Sequence, residues 1–222
     1  MTRYTAEVNR IAYEKLEALY DVNEDFQLFI DDFGYEDCNN WENFTYNGYN
    51  KGREEIAFTV HNGASRGVLI FDDFDWVIKF NFLDEADLRY NFCEGEVSLY
   101  KQAVKDGMQK YFAETWKAGE FHDRAFYVMR KAETCETNDN VCTDMNSGIY
   151  DSDPDYICCD RVGDMTEEDE ANIVNFFGNY YEKKEILSLL DYCYKIGIFD
   201  IYDGNVGYID EDPVFIDYAG YW

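Results

Sequence analysis

The chain has 222 residues, of which 46% are hydrophobic and 18% aromatic, and it contains only two prolines. This length and composition predict one folded domain, or one domain in two lobes, and argue against a disordered chain. Asp and Glu outnumber Lys and Arg by 47 to 19, so the formal net charge is −28, which disfavours direct binding to DNA or RNA.

The cysteines and the apolar runs indicate a cellular compartment. The seven cysteines form no CxxC pair, and their odd number argues against a disulfide framework. No apolar stretch approaches the length of a membrane span, and the N-terminus lacks a signal-peptide core. We therefore expect a cytoplasmic protein in a reducing environment, with no membrane partner.

The first 60 residues are predicted to form an acidic helical segment. Residues 16–50 contain nine acids and no base. A second acid-rich stretch at 151–170 contains nine acids and one arginine. Grouped charge of one sign is either a solvated surface or a surface that recognises a basic partner, and both interpretations stay open at this point.

Residues 61–132 are predicted to form a small β-rich lobe that begins with a hairpin. Two apolar runs, 67–71 and 75–80, flank Asp72 and Asp73, and the second run contains Lys79. The turn before the hairpin holds two glycines, Gly63 and Gly67.

A helix is predicted from Asp84 to Lys105, with one buried carboxylate. Phe92, Leu99 and Ala103 recur at helical spacing, and Glu96 falls on the same stripe. A carboxylate that faces the core is costly unless it is paired, so we expect an ion pair between Glu96 and Lys79. Glu94, on the solvent side of this helix, is the less suitable partner.

Residues 133–222 are predicted to form a smaller C-terminal lobe. It follows the strand-like run 126–132 and contains a helix that ends at Gly197. Two short β-type runs, 206–209 and 214–216, then flank the turn-forming residues 210–213, which predicts a hairpin centred on residue 211.

The open end of this second hairpin collects oxygen ligands. Asn205 and Asp217 are equidistant from residue 211, so we expect them to lie side by side, with Asp200 on the loop that leads into the hairpin. Carboxylate and amide oxygens are suited to Mg²⁺ and, through it, to a nucleotide phosphate.

From residue 62 to residue 220, the order of these features resembles the protein-kinase-like superfamily. The resemblance implies a reduced bilobal α+β fold with an N-terminal helical extension, a hinge at 126–132, and binding of ATP. It further implies that Lys79, with Gly63 and Gly67, contacts the phosphates and that Glu96 orients Lys79.

The same resemblance assigns the second hairpin. It implies that Asp200 is the catalytic base and that Asn205 and Asp217 hold Mg²⁺. The spacing of five residues from Asp200 to Asn205 and the following Asp before a glycine carry this part of the resemblance.

The sequence departs from the family pattern in four respects. Ile198 stands where the family has His, Tyr202 where protein kinases often have Lys, and Gly220 comes one residue late. The sequence ends at Trp222, so we expect no activation loop and no platform for a peptide. Nucleotide binding and transfer to a small substrate are the activities that fit these departures.

A different class of function is a catalytically inactive relative, a pseudokinase whose acidic surface blocks another protein. Acids interleaved with tyrosines could imitate the phosphates of a nucleic acid and occupy the groove of a basic nucleic-acid-binding protein. A virus-encoded inhibitor of a host defence enzyme is one example of such a protein. Sequence alone leaves the phosphate acceptor, any partner and the oligomeric state open.

Overall fold

The computed structural model describes residues 3–31, 56–62, 66–81, 91–134, 167–198, 201 and 203–218. Over these residues the fold is α+β. The helices are α1 (Arg3–Val22), α2 (Glu24–Asp31), α3 (Phe92–Asp106), α4 (Glu167–Phe177) and α5 (Lys183–Ile196). The strands are β1 (Phe58–Asn62), β2 (Arg66–Phe71), β3 (Trp76–Asn81), β4 (Thr115–Phe121), β5 (Arg124–Arg130), β6 (Val206–Ile209) and β7 (Asp212–Phe215).

The chain divides into two compact units. The first comprises residues 1–97 and 115–131, and the second comprises residues 98–114 and 132–222. One boundary falls within helix α3, because its residues up to Val97 belong to the first unit and those from Ser98 belong to the second. The other boundary falls between Lys131 and Ala132.

A five-stranded antiparallel sheet forms the framework of the first unit. Its strand order is β1-β2-β3-β5-β4, and the predicted hairpin of β2 and β3 is confirmed, with Val68 opposite Lys79. Strands β4 and β5 are also joined as a hairpin, and its two turn residues, His122 and Asp123, both have positive φ. Two residues in this conformation make a type I′ turn, which matches the twist of the flanking strands.

One face of the sheet is covered by α1 and α2. The buried residues of α1 recur every three or four positions, as expected for a helix with one apolar face, and they are Val8, Ala12, Leu16 and Leu19. They share a core with Phe26 and Phe29 of α2 and with alternate strand residues such as Ile78 and Phe80. Each fully buried side chain of this size contributes about 1.5–3 kcal/mol. The N-terminal helices are therefore part of the hydrophobic core of this unit.

The opposite face of the sheet meets the first turns of α3. Cys93 and Val97 of the helix pack with Tyr127 of β5, and Ala125 lies against them. Because side chains alternate along a strand, Tyr127 faces α3 while its neighbours Phe126 and Val128 face α1 and α2. The sheet is thus buried on both faces, and a charged residue on the α3 face must be neutralised there.

The second unit combines helices with the hairpin of β6 and β7. Helix α5 ends as predicted at Gly197, whose φ of 80° is the left-handed conformation that terminates a helix. Residues 132–134 run beside β6, since Glu133 and Tyr208 exchange two backbone hydrogen bonds of 2.9 Å. The hydroxyl of Tyr218 donates to the carbonyl of Ala113 at 2.8 Å, which ties the segment after β7 to the same unit.

Among the helices in the described residues, none is both long and apolar enough to cross a membrane.

Candidate functional site

Lys79 lies near the end of β3, on the face of the sheet that α3 covers. Its Cα pairs with those of Val68 in β2 and Tyr127 in β5, so β3 is flanked by a strand on each side at this position. The adjacent residues Ile78 and Phe80 belong to the core on the other face. The alternation of the strand therefore directs the ammonium group of Lys79 towards the helix.

Two asparagines fix the start of α3 relative to the sheet. The side-chain oxygen of Asn91 accepts a hydrogen bond from the backbone N–H of Glu94 at 2.9 Å, which is the geometry of an N-cap. The side-chain oxygen of Asn81, the last residue of β3, accepts from the N–H of Phe92 at 2.9 Å. The amide of Asn91 also donates to the hydroxyl of Tyr127 at 3.0 Å. These contacts anchor the helix one turn before Glu96.

Glu96 forms the predicted ion pair with Lys79. The ammonium nitrogen of Lys79 lies 2.8 Å from both carboxylate oxygens of Glu96. Glu96 is fully buried and Lys79 is 4% exposed, whereas Glu94 is exposed as expected. The prediction of a buried pair, made from the position of Glu96 on the apolar stripe, is confirmed.

Sequence reasoning missed a second cation at this site, Arg66. Its guanidinium nitrogen Nη1 donates to Oε1 of Glu96 at 2.7 Å, and its guanidinium lies over the ring of Phe92 at 5.5 Å. A signal for this contact was present in the sequence. Extending the predicted hairpin by one residue on each strand places Arg66 opposite Asn81, on the same face as Lys79.

The three charged side chains lie in a poorly hydrated environment. Side-chain exposure falls from 10% for Arg66 to 5% for Lys79 and 1% for Glu96. The thioether of Met129 lies 3.9 Å from the ammonium nitrogen of Lys79, which adds an apolar neighbour. Electrostatic interactions are stronger in such surroundings than in water, so the shared carboxylate holds both cations firmly in place.

The predicted glycine turn is described in part. Gly67 lies in β2, where it pairs with Asn62 of β1 and Phe80 of β3. Gly63 lies outside the described residues. The segment between Asn62 and Gly67 therefore connects two antiparallel strands, which is the position that the resemblance implies for a phosphate-binding turn.

The second hairpin forms, but with a register one residue different from the prediction. Ile209 pairs with Asp212, and Asp210 and Glu211, with φ of 52° and 72°, make a two-residue type I′ turn. The predicted four-residue turn, 210–213, is therefore wrong. Strand β7 can contain Pro213, because Pro213 pairs with Tyr208 at a position of the ladder where no hydrogen bond from a backbone N–H of residue 213 is needed.

This register changes the neighbour of Asn205. The backbone N–H of Ile216 donates to the carbonyl of Asn205 at 2.9 Å, so Asn205 lies opposite Ile216 and not opposite Asp217 as predicted. Asp217 is the next residue, so its Cα lies within about 9 Å of that of Asn205. Asn205 is 3% exposed and Asp217 is partly exposed. Asp200, the third residue expected here, lies outside the described residues.

Comparison with known proteins gives no relative from which a role for these residues could be taken. No protein-family model matches the chain, and no curated protein and no solved structure is significantly similar to it.

Proposed function

We propose that this chain is a kinase-like nucleotide-binding protein that uses ATP and Mg²⁺, with transfer of a phosphoryl group to a small substrate as its activity. In this proposal Lys79 binds phosphate oxygens, Glu96 orients Lys79, and Gly63 and Gly67 belong to the turn that approaches the phosphates. Mg²⁺ would be held by the oxygens of Asn205 and Asp217 and would neutralise phosphate charge. Asp200 would accept the proton of the attacking group.

The buried pair of Lys79 and Glu96 is the observation that carries the proposal. Replacing a buried ion pair by apolar residues of similar volume is often neutral or stabilising, so such a pair contributes little to stability overall. A pair fixed at 2.8 Å between a strand and a capped helix is better explained by a task that needs a positioned ammonium group. Holding a phosphate is such a task, and it is the one that the resemblance assigns to this lysine.

Two further features support a bilobal nucleotide-binding fold. The described elements follow the order that the resemblance implies, from the Lys79 strand and the Glu96 helix to the Asn205 hairpin. One boundary between the two compact units falls after Lys131, within the segment 126–132 that was expected to be the hinge.

Thermal denaturation with ATP, with and without Mg²⁺, tests the proposal directly. A ligand at one hundred times its dissociation constant stabilises the folded protein by about 2.7 kcal/mol. We expect Mg²⁺-dependent stabilisation of the wild-type protein, and loss of that stabilisation in Asp217→Ala and Lys79→Met. Lys117→Gln, which changes an exposed lysine of β4, is the matched control and should respond like the wild type. Absence of any response of the wild-type protein to ATP and Mg²⁺ would refute the proposal.

A second candidate function rests on the acidic surface. Residues 16–31 contain no base, and four of their five acids are exposed on α1 and α2, namely Glu17, Asp21, Glu24 and Asp31. The whole chain has a net charge of −28, and an acidic surface of this kind is suited to a basic groove. The candidate is therefore an inhibitor that displaces DNA or RNA from a basic nucleic-acid-binding protein.

Competition binding distinguishes an acidic surface that binds a basic protein from one that only interacts with solvent. The inhibitor should displace labelled DNA from basic DNA-binding proteins, and its effect should weaken from low to physiological salt. Neutralising Glu17, Asp21 and Glu24 together should slow association, whereas neutralising Asp123, Asp210 and Glu211 should have little effect. If displacement is absent at low salt, the surface serves solvation.

A further inference from the structure

We propose that Arg66 is a second phosphate-binding residue, and that Arg66 and Lys79 together form an anion site for a polyphosphate chain. This inference deepens the proposed function and rests on it for the identity of the ligand. It assigns to Arg66 a direct contact with phosphate oxygens, in addition to its contact with Glu96.

The spacing of the two cations supports the proposal. Arg66 Nη1 and Lys79 Nζ both donate to Oε1 of Glu96, at 2.7 and 2.8 Å, so the two nitrogens lie no more than the sum of these distances, 5.5 Å, apart. The oxygens of one phosphate are about 2.5 Å apart, and each accepts hydrogen bonds of about 2.8 Å, so a single phosphate can contact both nitrogens. Adjacent phosphates of a chain can do so more easily.

The exposure of the side chains indicates where an anion would enter. Arg66 is the most exposed of the three side chains and Glu96 is the least, so Arg66 offers an anion the largest accessible surface of the three. An incoming phosphate would therefore meet the guanidinium first. Glu96, the least exposed of the three, holds both cations in position.

The chemistry and the location of Arg66 agree with this role. A guanidinium group presents several N–H donors in a planar fork, which suits two phosphate oxygens at once. Arg66 is the first residue of β2, so it lies at the end of the β2–β3 hairpin where Asn81 is its partner. Lys79 lies two positions further from this end, because it pairs with Val68.

Isothermal titration with sodium tripolyphosphate, ATP and adenosine tests the proposal on the full chain. Tripolyphosphate carries the anionic groups alone, and adenosine carries none. We expect Arg66→Gln to weaken binding of tripolyphosphate and ATP at least about tenfold, as loss of a charge-assisted hydrogen bond predicts. Binding of adenosine should be unchanged, and Lys117→Gln, which removes one exposed positive charge, should bind all three ligands like the wild type.

Arg66→Lys provides a second variant that keeps the charge beside Glu96. It should fold like the wild type and bind tripolyphosphate several-fold more weakly, because the ammonium group lacks the planar fork. If Arg66→Gln does not fold, the binding of tripolyphosphate by Arg66→Lys alone tests the anion site. Affinity of the folded Arg66 variants equal to that of the wild type would overturn the proposal.

The ligands also separate this proposal from the proposed function. Strong ATP binding that is insensitive to Arg66 would remove the anion site and leave the nucleotide function intact. Arg66-dependent binding of tripolyphosphate, with ATP bound no more tightly, would retain the anion site and remove the nucleotide function. Binding of none of the ligands by the wild-type protein would remove both.

Discussion

Replacing Glu96 by glutamine should destabilise the first unit more than replacing either of its cationic partners. Glu96→Gln removes the carboxylate that Lys79 and Arg66 share, and to which they donate hydrogen bonds of 2.7–2.8 Å. Removing one partner from a buried ion pair costs about 3–5 kcal/mol. Lys79→Met, by contrast, leaves the carboxylate bonded to Arg66, so we expect a loss of about 1–3 kcal/mol.

The measurement is urea denaturation combined with hydrogen exchange of the amides in β3 and β5, which both belong to the first unit. Exchange reports on the first unit by itself, which matters because a chain with two compact units need not unfold in one step. The matched control is Glu120→Gln, which removes a carboxylate from the exposed pair with Lys117 at 2.9 Å. An exposed pair contributes about 0–1 kcal/mol, so this control should behave almost like the wild type.

An apolar replacement of the whole cluster distinguishes stability from function. The triple variant Arg66→Met, Lys79→Met and Glu96→Leu removes all three charges together, and we expect it to recover most of the stability that Glu96→Gln loses. It should bind neither nucleotide nor tripolyphosphate. If Glu96→Gln lowers the free energy of unfolding less than Lys79→Met does, the carboxylate is not the shared centre of the cluster.

Two other substitutions test packing and ionisation in the second unit. An added Cβ at Gly207 would lie 2.8 Å from the Cβ of Ala132 and 2.9 Å from the carbonyl oxygen of Glu133, so Gly207→Ala should lower the free energy of unfolding by about 1–3 kcal/mol in urea titrations. An unchanged urea midpoint would show that residues 132–133 do not pack on β6. Burial, with the nearby charge of Glu114, raises the pKa of Tyr100 to about 12. The raised pKa of Tyr100 contributes stability that is fully present below its pKa in the unfolded chain, about 10, and that is lost as the pH rises towards 12. The urea midpoint of the wild type should therefore fall between pH 10 and pH 12, and Tyr100→Phe should reduce this fall. An equal fall of the urea midpoint in the wild type and in Tyr100→Phe would contradict the raised pKa of Tyr100.

The first unit was predictable where a local pattern coincided with an energetic requirement. The hairpin of β2 and β3 follows from two apolar runs around Asp72 and Asp73, and it forms as expected. The pair of Lys79 and Glu96 follows because a carboxylate on an apolar helix stripe requires a cation, and a strand lysine close in sequence can reach it. Arg66 was missed because the apolar run was taken to begin at Gly67, one residue too late.

The contacts of the N-terminal helices were beyond sequence reasoning for a different reason. The repeat of Val8, Ala12, Leu16 and Leu19 predicts an apolar helix face, but it does not identify the surface that covers this face. The partner surface lies on the sheet, dozens of residues later in the chain. The acid-rich residues 151–166 and Asp200 lie outside the described residues, so the predictions made for them stay predictions.

The register of the second hairpin can be tested by the sign of a single glycine substitution. Glu211 is exposed and has a φ of 72°, a left-handed conformation that costs a residue with a Cβ about 1–2 kcal/mol. Glu211→Gly removes this cost and creates the Asp-Gly pair favoured in type I′ turns, against about 0.5–1 kcal/mol of lost backbone entropy. We therefore expect a net gain of about 0.5–1 kcal/mol in urea titrations. Asp212→Gly, at the adjacent exposed acid in β7, should instead lose about 0.5–1 kcal/mol, because no positive φ is relieved there. Equal losses in the two variants would favour a turn centred elsewhere, and the pairing of Asn205 with Ile216 would then be wrong.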